Sequence, residues 1–260
     1  MERRRLGRRA PLDLDGVTYG IHAVSEALAA GERLRRIHVA DQRRRDPALR
    51  TLLAAADESG ITVRFESRGF FAQFPYKAHQ GVIAFAQPFD YLTLDEALAR
   101  RKPASPALFV VLDHITDPHN AGAIIRTAEA AAADALVLPE RRSAGVNATV
   151  RKASAGATAH LSIARVGNVA GALREMKAAG LWIAGADLSA GALPYTQADL
   201  TVDLALVIGA EGAGLSTVTR KECDYLLTVP TAGHVGSLNA SVAAGILLFE
   251  VRRQRGSVSC

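Results

Sequence analysis

The sequence predicts an α/β protein of two units: a small α/β sandwich, then a larger domain built on a parallel sheet. Three observations carry that prediction. Nearly continuous apolar runs recur from residue 107 onward, as strands buried on both faces require. Helical patterns separate most of those runs, the alternation expected of parallel strands joined by crossover helices. A charged, proline-bearing stretch at 91–106, YLTLDEALARRKPASP, stands between two apolar units as a linker does.

Length and composition bound the answer. A chain of 260 residues buries a sizeable core and accommodates one or two domains at roughly 100–200 residues each. No apolar run approaches the ~20 residues of a membrane-spanning helix. The two cysteines, Cys223 and Cys260, have no ligand partners at metal-site spacing, so neither a disulfide framework nor a metal site is expected, and a cytoplasmic setting is. The net charge of +5, carried mostly by arginine, is compatible with phosphate-bearing partners and does not by itself demand them.

In chain order, residues 1–15, MERRRLGRRAPLDLD, form a basic arm without the apolar centre of a signal peptide and are expected to be disordered. Residues 16–90 form the small unit. YGIHAVSEALAAG reads as a helix ended by Gly31, RRIHVA as a strand, PALRTLLAAADESG as a helix stopped by Gly60, and ITVRFES and HQGVIAFAQ as strands. Arginines at 33, 35, 36, 43, 44, 45, 64 and 68 lie between and along these elements and together suggest a surface suited to RNA. After the 91–106 linker, residues 107–255 form the larger domain, with strands ALFVVLD, DALVLP, AHLSIARV, LWIAGAD, DLALVIG and DYLLTVP.

Ligands of open α/β sheets gather outside the carboxyl ends of strands, and three loops there hold the residues that can do chemistry. In LDHITDPHNAGAIIRTAEA, Asp117 and Pro118 make a turn, Asn120 is placed to cap the following helix, and Arg126 lies in its second turn. His114 and His119 read as loop histidines. In VIGAEGAGLS, Gly209, Gly212 and Gly214 follow a strand in a GxxGxG spacing that does not match the dinucleotide fingerprint, and Glu211 among them is better placed for a ligand than for packing. In VPTAGHVGSLNASVAAGILLFE, glycines allow close backbone approach, Ser237 and Asn239 stand at the mouth of a helix, and Ala240, Ala243, Ala244 and Gly245 leave that helix bare on one side.

In order and spacing, DPHNAGAIIRTA, IGAEGAGLS and VPTAGHVGSLNASVAAG resemble the three motifs of the SpoU branch of the SPOUT RNA 2'-O-ribose methyltransferases, and NATVRKASAGATAHL, YGIHAVSEAL and AHQGVIA extend the likeness over nearly the whole chain. The match is closest to the RlmB/TrmH type, which implies a guanosine of 23S rRNA as target. It further implies a deep trefoil knot in the larger domain, preceded by a ribosomal-protein-like substrate-binding domain, and a homodimer with RNA as its partner. S-adenosylmethionine is the implied cofactor, held by Gly209, Ala210, Gly212, Val229, Pro230 and Leu238. The implied catalytic residues are Asn120, Arg126, Glu211, Ser237 and Asn239, with no metal. His234, Gly236 and Ala240 depart mildly from the family pattern. An arginine that stays protonated near neutral pH is a poor base, so Arg126 is expected to clamp the target phosphate, with Glu211 orienting Arg126 or Asn120. A tRNA target and a non-catalytic ribosome-assembly factor are the competing expectations.

Overall fold

The structure is a computed structural model that describes residues 17–256 except 30, 32, 75–78, 103–104, 190 and 234–235. The basic arm at 1–15 and His234 lie outside the described residues. The chain divides into one unit ending at Pro88 and a second beginning at Phe89.

In the first unit, β1 (Val17–Tyr19), α1 (Ile21–Ala29), β2 (Leu34–Ala40), α2 (Arg50–Glu58), β3 (Val63–Glu66), α3 (Arg68–Phe71) and β4 (Val82–Ala86) build a sheet ordered β1-β4-β2-β3. β4 pairs antiparallel with β1 and β2, and β3 lies parallel to β2. Successive side chains of β2 point to opposite faces. Ile37 and Val39 pack with Val24 of α1 and Leu52 of α2, while His38 stacks on Phe70 with ring centroids 4.5 Å apart and meets Glu66 at 3.1 Å. Tyr19, read from the sequence as the start of a helix, belongs to β1, because Gly20 turns the chain at a φ of 89° that other residues rarely adopt. Arg33, Arg35, Arg45, Arg64 and Arg68 are exposed. Arg43 is engaged instead, its Nε donating to Asp46 at 2.8 Å, and Arg44 lies over the Phe65 ring.

In the second unit the stretch 91–106 carries α4 (Leu94–Ala99). Thr93 and Glu96 open it with a capping box, and its Leu94 and Ala97 are buried in the same cluster as Phe109 and Val137. There follow β5 (Leu108–Asp113), α5 (Pro118–Ala130), β6 (Ala135–Pro139), α6 (Ala148–Ala153), β7 (Ser162–Val166), α7 (Val169–Ala178), β8 (Trp182–Ala186), β9 (Leu193–Pro194), β10 (Leu204–Gly209), α8 (Thr217–Glu222), β11 (Tyr225–Thr228) and α9 (Ala240–Gln254). The sheet is parallel with order β7-β6-β5-β10-β8-β11-β9.

Every residue of β5 and of β10 is buried, which explains their unbroken apolar sequence. Alternate residues of β5 serve two cores. Leu108, Val110 and Leu112 join a cluster with Ile124 of α5 and Leu247 and Leu248 of α9, whereas Phe109 and Val111 join Leu173 and Met176 of α7. Each such fully buried aliphatic side chain contributes about 1.5–3 kcal/mol. α6 runs so near α5 that a Cβ at Gly122 would lie 2.8 Å from the Val150 carbonyl oxygen, so only glycine fits there. The strand order sets up the site. β10 lies between β5 and β8, and β11 between β8 and β9, so the loops that leave β5, β8, β10 and β11 share one edge of the sheet.

Candidate active site

The loop after β5 reaches α5 through Asp117 and Pro118. The helix cap is Asp117, whose side chain accepts from the His119 N–H at 3.0 Å, and not Asn120, which lies in the first turn. Proline at the first helical position, behind a short acidic side chain, makes this the better cap. The Asn120 amide is thereby not spent on the cap. The end of β5 is held from the other side by the buried Asp113, whose Oδ2 accepts from the Ser216 N–H at 2.7 Å and whose Oδ1 lies 2.6 Å from His114 Nδ1. This carboxylate fixes the β5 loop against the start of α8.

After β10 the backbone doubles back at once. Ala210 and Gly214 exchange hydrogen bonds of 3.1 and 2.8 Å, Gly212 and Gly214 take φ of 77° and 66°, and a Cβ on Gly209 would lie 2.3 Å from the Gly214 carbonyl carbon. The three glycines therefore build a tight turn that lifts Glu211 out to solvent. After β11, Asn239 caps α9, its Oδ1 accepting from the Ser241 N–H at 2.9 Å and from the Ser241 hydroxyl at 2.6 Å. Those two donors fix the amide, so Nδ2 must point the other way.

It points at the first two loops. Asn239 Nδ2 donates to Asn120 Oδ1 at 2.9 Å and to Glu211 Oε2 at 3.1 Å, and Asn120 Nδ2 donates to the same Glu211 oxygen at 3.3 Å. Three side chains from three separate loops thus close a triangle. Glu211 also lines a cavity of about 280 Å³, near the lower end of the roughly 300–1,000 Å³ typical of small-molecule sites. Of the residues expected to hold a cofactor, Gly209, Ala210, Gly212, Val229 and Leu238 line this cavity, as does Ser237; Pro230 is exposed and outside its lining. Arg126 is exposed and forms no hydrogen bond or ion pair among the described residues, so Glu211 engages the two asparagines and not Arg126. Six residues along a helix amount to about 9 Å of rise and a third of a turn away from Asn120.

Some of the lining lies outside the residues singled out by sequence. Asp187, Leu188 and Ser189 after β8, Arg220 of α8, and Ala240, Ala243 and Leu247 on one face of α9 all border the cavity. The bare side of α9 is therefore used twice: Ala240 and Ala243 face the cavity, while Gly245 passes α5, with Thr127 Cγ2 3.8 Å from where its Cβ would be. Among the described residues there is no group of three metal-ligating side chains. Burial pushes the Cys223 thiol up to about 12, which leaves it no nucleophile at neutral pH.

Comparison with known proteins identifies a family for both units. Residues 107–249 match the SpoU rRNA Methylase family, and residues 17–92 match the domain described as RNA 2'-O ribose methyltransferase substrate binding. The chain belongs to the SpoU rRNA methylase family. A tRNA/rRNA methyltransferase of Synechocystis, itself uncharacterized, is 45% identical over 92% of this chain, which spans 62% of that relative's length. A Bacillus subtilis protein assigned to the TrmH family of tRNA/rRNA methyltransferases, YacO, is 41% identical over 92% of this chain and 96% of its own. Among solved structures, the SpoU methyltransferase AviRb of Streptomyces viridochromogenes, in complex with the cofactor AdoMet, superimposes with a TM-score of 0.60 at 29% identity, covering 96% of this chain and 94% of that one. In this SpoU-family chain the donor set of the cavity fits such a group. Backbone of the β10 turn and apolar side chains of Leu227, Val229 and Leu247 line it, and Asp187 sets a buried carboxylate in its wall.

Proposed function

We propose that the chain transfers a methyl group from S-adenosylmethionine to a ribose 2'-hydroxyl of RNA, with a guanosine of 23S rRNA as target. The observation that carries this reading is the Asn120–Glu211–Asn239 triangle, joined through Glu211 to a cavity of about 280 Å³. When bound, the cofactor supplies an electrophilic methyl on a sulfonium. The chain's own residues have two tasks, to orient a hydroxyl and to stabilise the charge it develops. Asn239 and Asn120 present amide groups fixed by Ser241 and by each other, Glu211 holds both, and Ser237 stands at the cavity wall. Arg126, exposed and without a hydrogen bond or ion pair among the described residues, is placed to fork onto a phosphate of the target strand.

The exposed apolar stripe of α9, Val242 and Phe249 with Ile246 between them, supports a homodimer, since a second copy would cover it. The placement of β10 and β11 between earlier strands supports the trefoil knot, and the exposed arginines of the first unit support RNA as its ligand. None of the described helices is long and apolar enough to cross a membrane, and a cytoplasmic enzyme is the corresponding reading. The relatives' names join tRNA with rRNA, which keeps tRNA as the second candidate substrate.

The test offers labelled S-adenosylmethionine with 23S rRNA and with bulk tRNA to the purified protein and maps ribose methylation. The expected product is 2'-O-methylguanosine in 23S rRNA; base methylation, or transfer to tRNA alone, would overturn the reading. Arg126→Ala should lower transfer by at least about 100-fold, in the range seen when one charge-stabilising group is lost, while S-adenosylhomocysteine still binds. Retained turnover would remove Arg126 from the mechanism.

A further inference from the structure

The first unit has a cavity of its own, which the proposed methyl transfer does not use. It holds about 320 Å³ and is lined in part by Gln42, Arg43, Arg68, Phe71, His79 and Gln80, with no Asp or Glu among the described lining residues. Its wall is fixed by the fold. His79 stacks on the buried Phe71 with ring centroids 5.0 Å apart, and its Nδ1 accepts from the Gly81 N–H at 2.8 Å, a tautomer that carries its hydrogen on Nε2. The Arg43 guanidinium donates to the Gln80 carbonyl as well as to Asp46, and the Ala40 N–H donates to the Gly81 carbonyl at 2.8 Å. Gln80 is thereby held at a φ of 49°, which residues other than glycine rarely adopt. Gln42, Arg68 and Gln80 are exposed, and their side chains form no hydrogen bond or ion pair among the described residues.

We propose that this cavity takes one unpaired nucleotide of the substrate RNA, its base against the His79 ring, its polar edge on the Gln42 and Gln80 carboxamides and its phosphate on Arg68. The assignment rests on RNA being the substrate. Shape and chemistry select this ligand. A base inside a duplex is covered on both faces by its neighbours, so only an unstacked nucleotide can enter a closed-in site and lie on a ring. Each carboxamide offers both a donor and an acceptor, as a base edge requires. Arg43 faces Asp46, which leaves Arg68 as the lining guanidinium not already committed to an anion, and guanidinium suits phosphate. An aromatic face, neutral amides and a cation, with no lining carboxylate to repel a phosphate, are the groups by which single-stranded RNA is held. The cavity at the β10 turn has the opposite balance, since Asp187 and Glu211 both border it.

Single-turnover methyl transfer by the full chain, measured over a range of 23S rRNA concentrations, tests the assignment with Gln42→Ala, Gln80→Gly and Arg68→Gln. The first two change no charge, and glycine adopts the φ of position 80 freely. Each of these two should raise the RNA concentration at half-maximal rate by about 3- to 10-fold, as the loss of one neutral hydrogen bond allows, and Arg68→Gln by about 10-fold or more. S-adenosylhomocysteine should bind all three variants as it binds the wild type, and far-ultraviolet spectra should report an intact fold. Ultraviolet crosslinking of the wild-type protein to 23S rRNA should place a nucleotide adduct on a residue lining this cavity. Carboxamide variants with the wild-type RNA dependence would overturn the proposal, even if Arg68→Gln weakened RNA, because the surface would then be a phosphate track without a base pocket. Adducts found in the first unit only away from the cavity would overturn it too. A wild-type protein that methylates no RNA would overturn the functional reading, and the assignment with it.

Discussion

The two ends of α9 are tied down in opposite ways. At the carboxyl end the partners are backbone groups or the helix itself. Gln254 accepts from the Leu200 N–H at 2.9 Å and donates to the Ala198 carbonyl at 3.0 Å, while Arg255 donates to the carbonyls of Pro106, Ala107, Leu200 and Val202 at 2.6 to 3.1 Å. A cation at a helix carboxyl end also suits the helix dipole. At the amino end, apart from its own cap, Asn239 meets among the described residues two side chains, Asn120 and Glu211, which stand on other loops at the solvent edge. One end directs the hydrogen bonds of Gln254 and Arg255 onto the fold. The other spends its hydrogen bonds on groups that a ligand can recruit, and that is the end proposed to do chemistry.

The largest effect expected from this contrast is at the amino end. Asn239→Ser keeps an oxygen able to cap α9 but removes the amide that reaches Asn120 and Glu211. Methyl transfer should fall by about 100-fold or more, while the melting temperature stays within roughly 2 °C of wild type. Single-turnover kinetics and a thermal melt on one preparation check both halves. A variant that lost stability and kept its rate would reverse the roles given to the two ends.

Much of this contrast was legible in the sequence, and the rest was hidden for identifiable reasons. β5 and β10 could be read because burial on both faces leaves an unbroken apolar run, and Asn120, Glu211 and Asn239 because the motifs they sit in keep their order and spacing. β9 could not: it is two residues long and its Leu193 is exposed. α3 was hidden because four residues carry no periodicity. The cap at Asp117 was read as part of a turn, since Asp-Pro serves both purposes. Asp187 ends a strand that was correctly placed, yet a buried carboxylate and a solvated one look alike in a sequence. Its N–H bonds to the Leu227 carbonyl of β11 and its carboxylate meets Arg220 of α8, contacts between distant parts of the chain. Nothing in the sequence marks Gln254 and Arg255 either, because their partners lie far away along the chain.

An intermediate effect belongs to the carboxyl end. Arg255→Ala removes a donor from the carbonyls of residues 106, 107, 200 and 202, of which that of 107 keeps the Leu204 N–H, at a cost of ~1–3 kcal/mol for each one left without a partner where water cannot replace it. A net loss of about 3 kcal/mol is expected, a drop of roughly 6–12 °C in melting temperature, with kcat within about twofold of wild type at a temperature where the variant is folded. A large fall in kcat with an unchanged melt would break the contrast from this side.

The smallest effect is a pH dependence confined to the same end. The Arg253 side chain hydrogen-bonds both oxygens of Glu250 at 2.8 Å and Gln254 donates to it at 2.9 Å, and these contacts hold its carboxyl below the usual 4.5. With the folded value depressed, the unfolded chain takes up its proton first as the solution is acidified. The stabilisation is therefore complete above the unfolded value near 4.5 and is lost as pH falls through the lower folded one. Arg253 is largely exposed, so salt screens the pair and the contribution is modest. Glu250→Gln should flatten the acid limb of a melting-temperature profile between about pH 5 and pH 3 and leave the neutral plateau nearly level with wild type. If the substituted protein keeps the full wild-type slope there, the acid sensitivity arises elsewhere, and the carboxyl end of α9 is held by Gln254 and Arg255 alone.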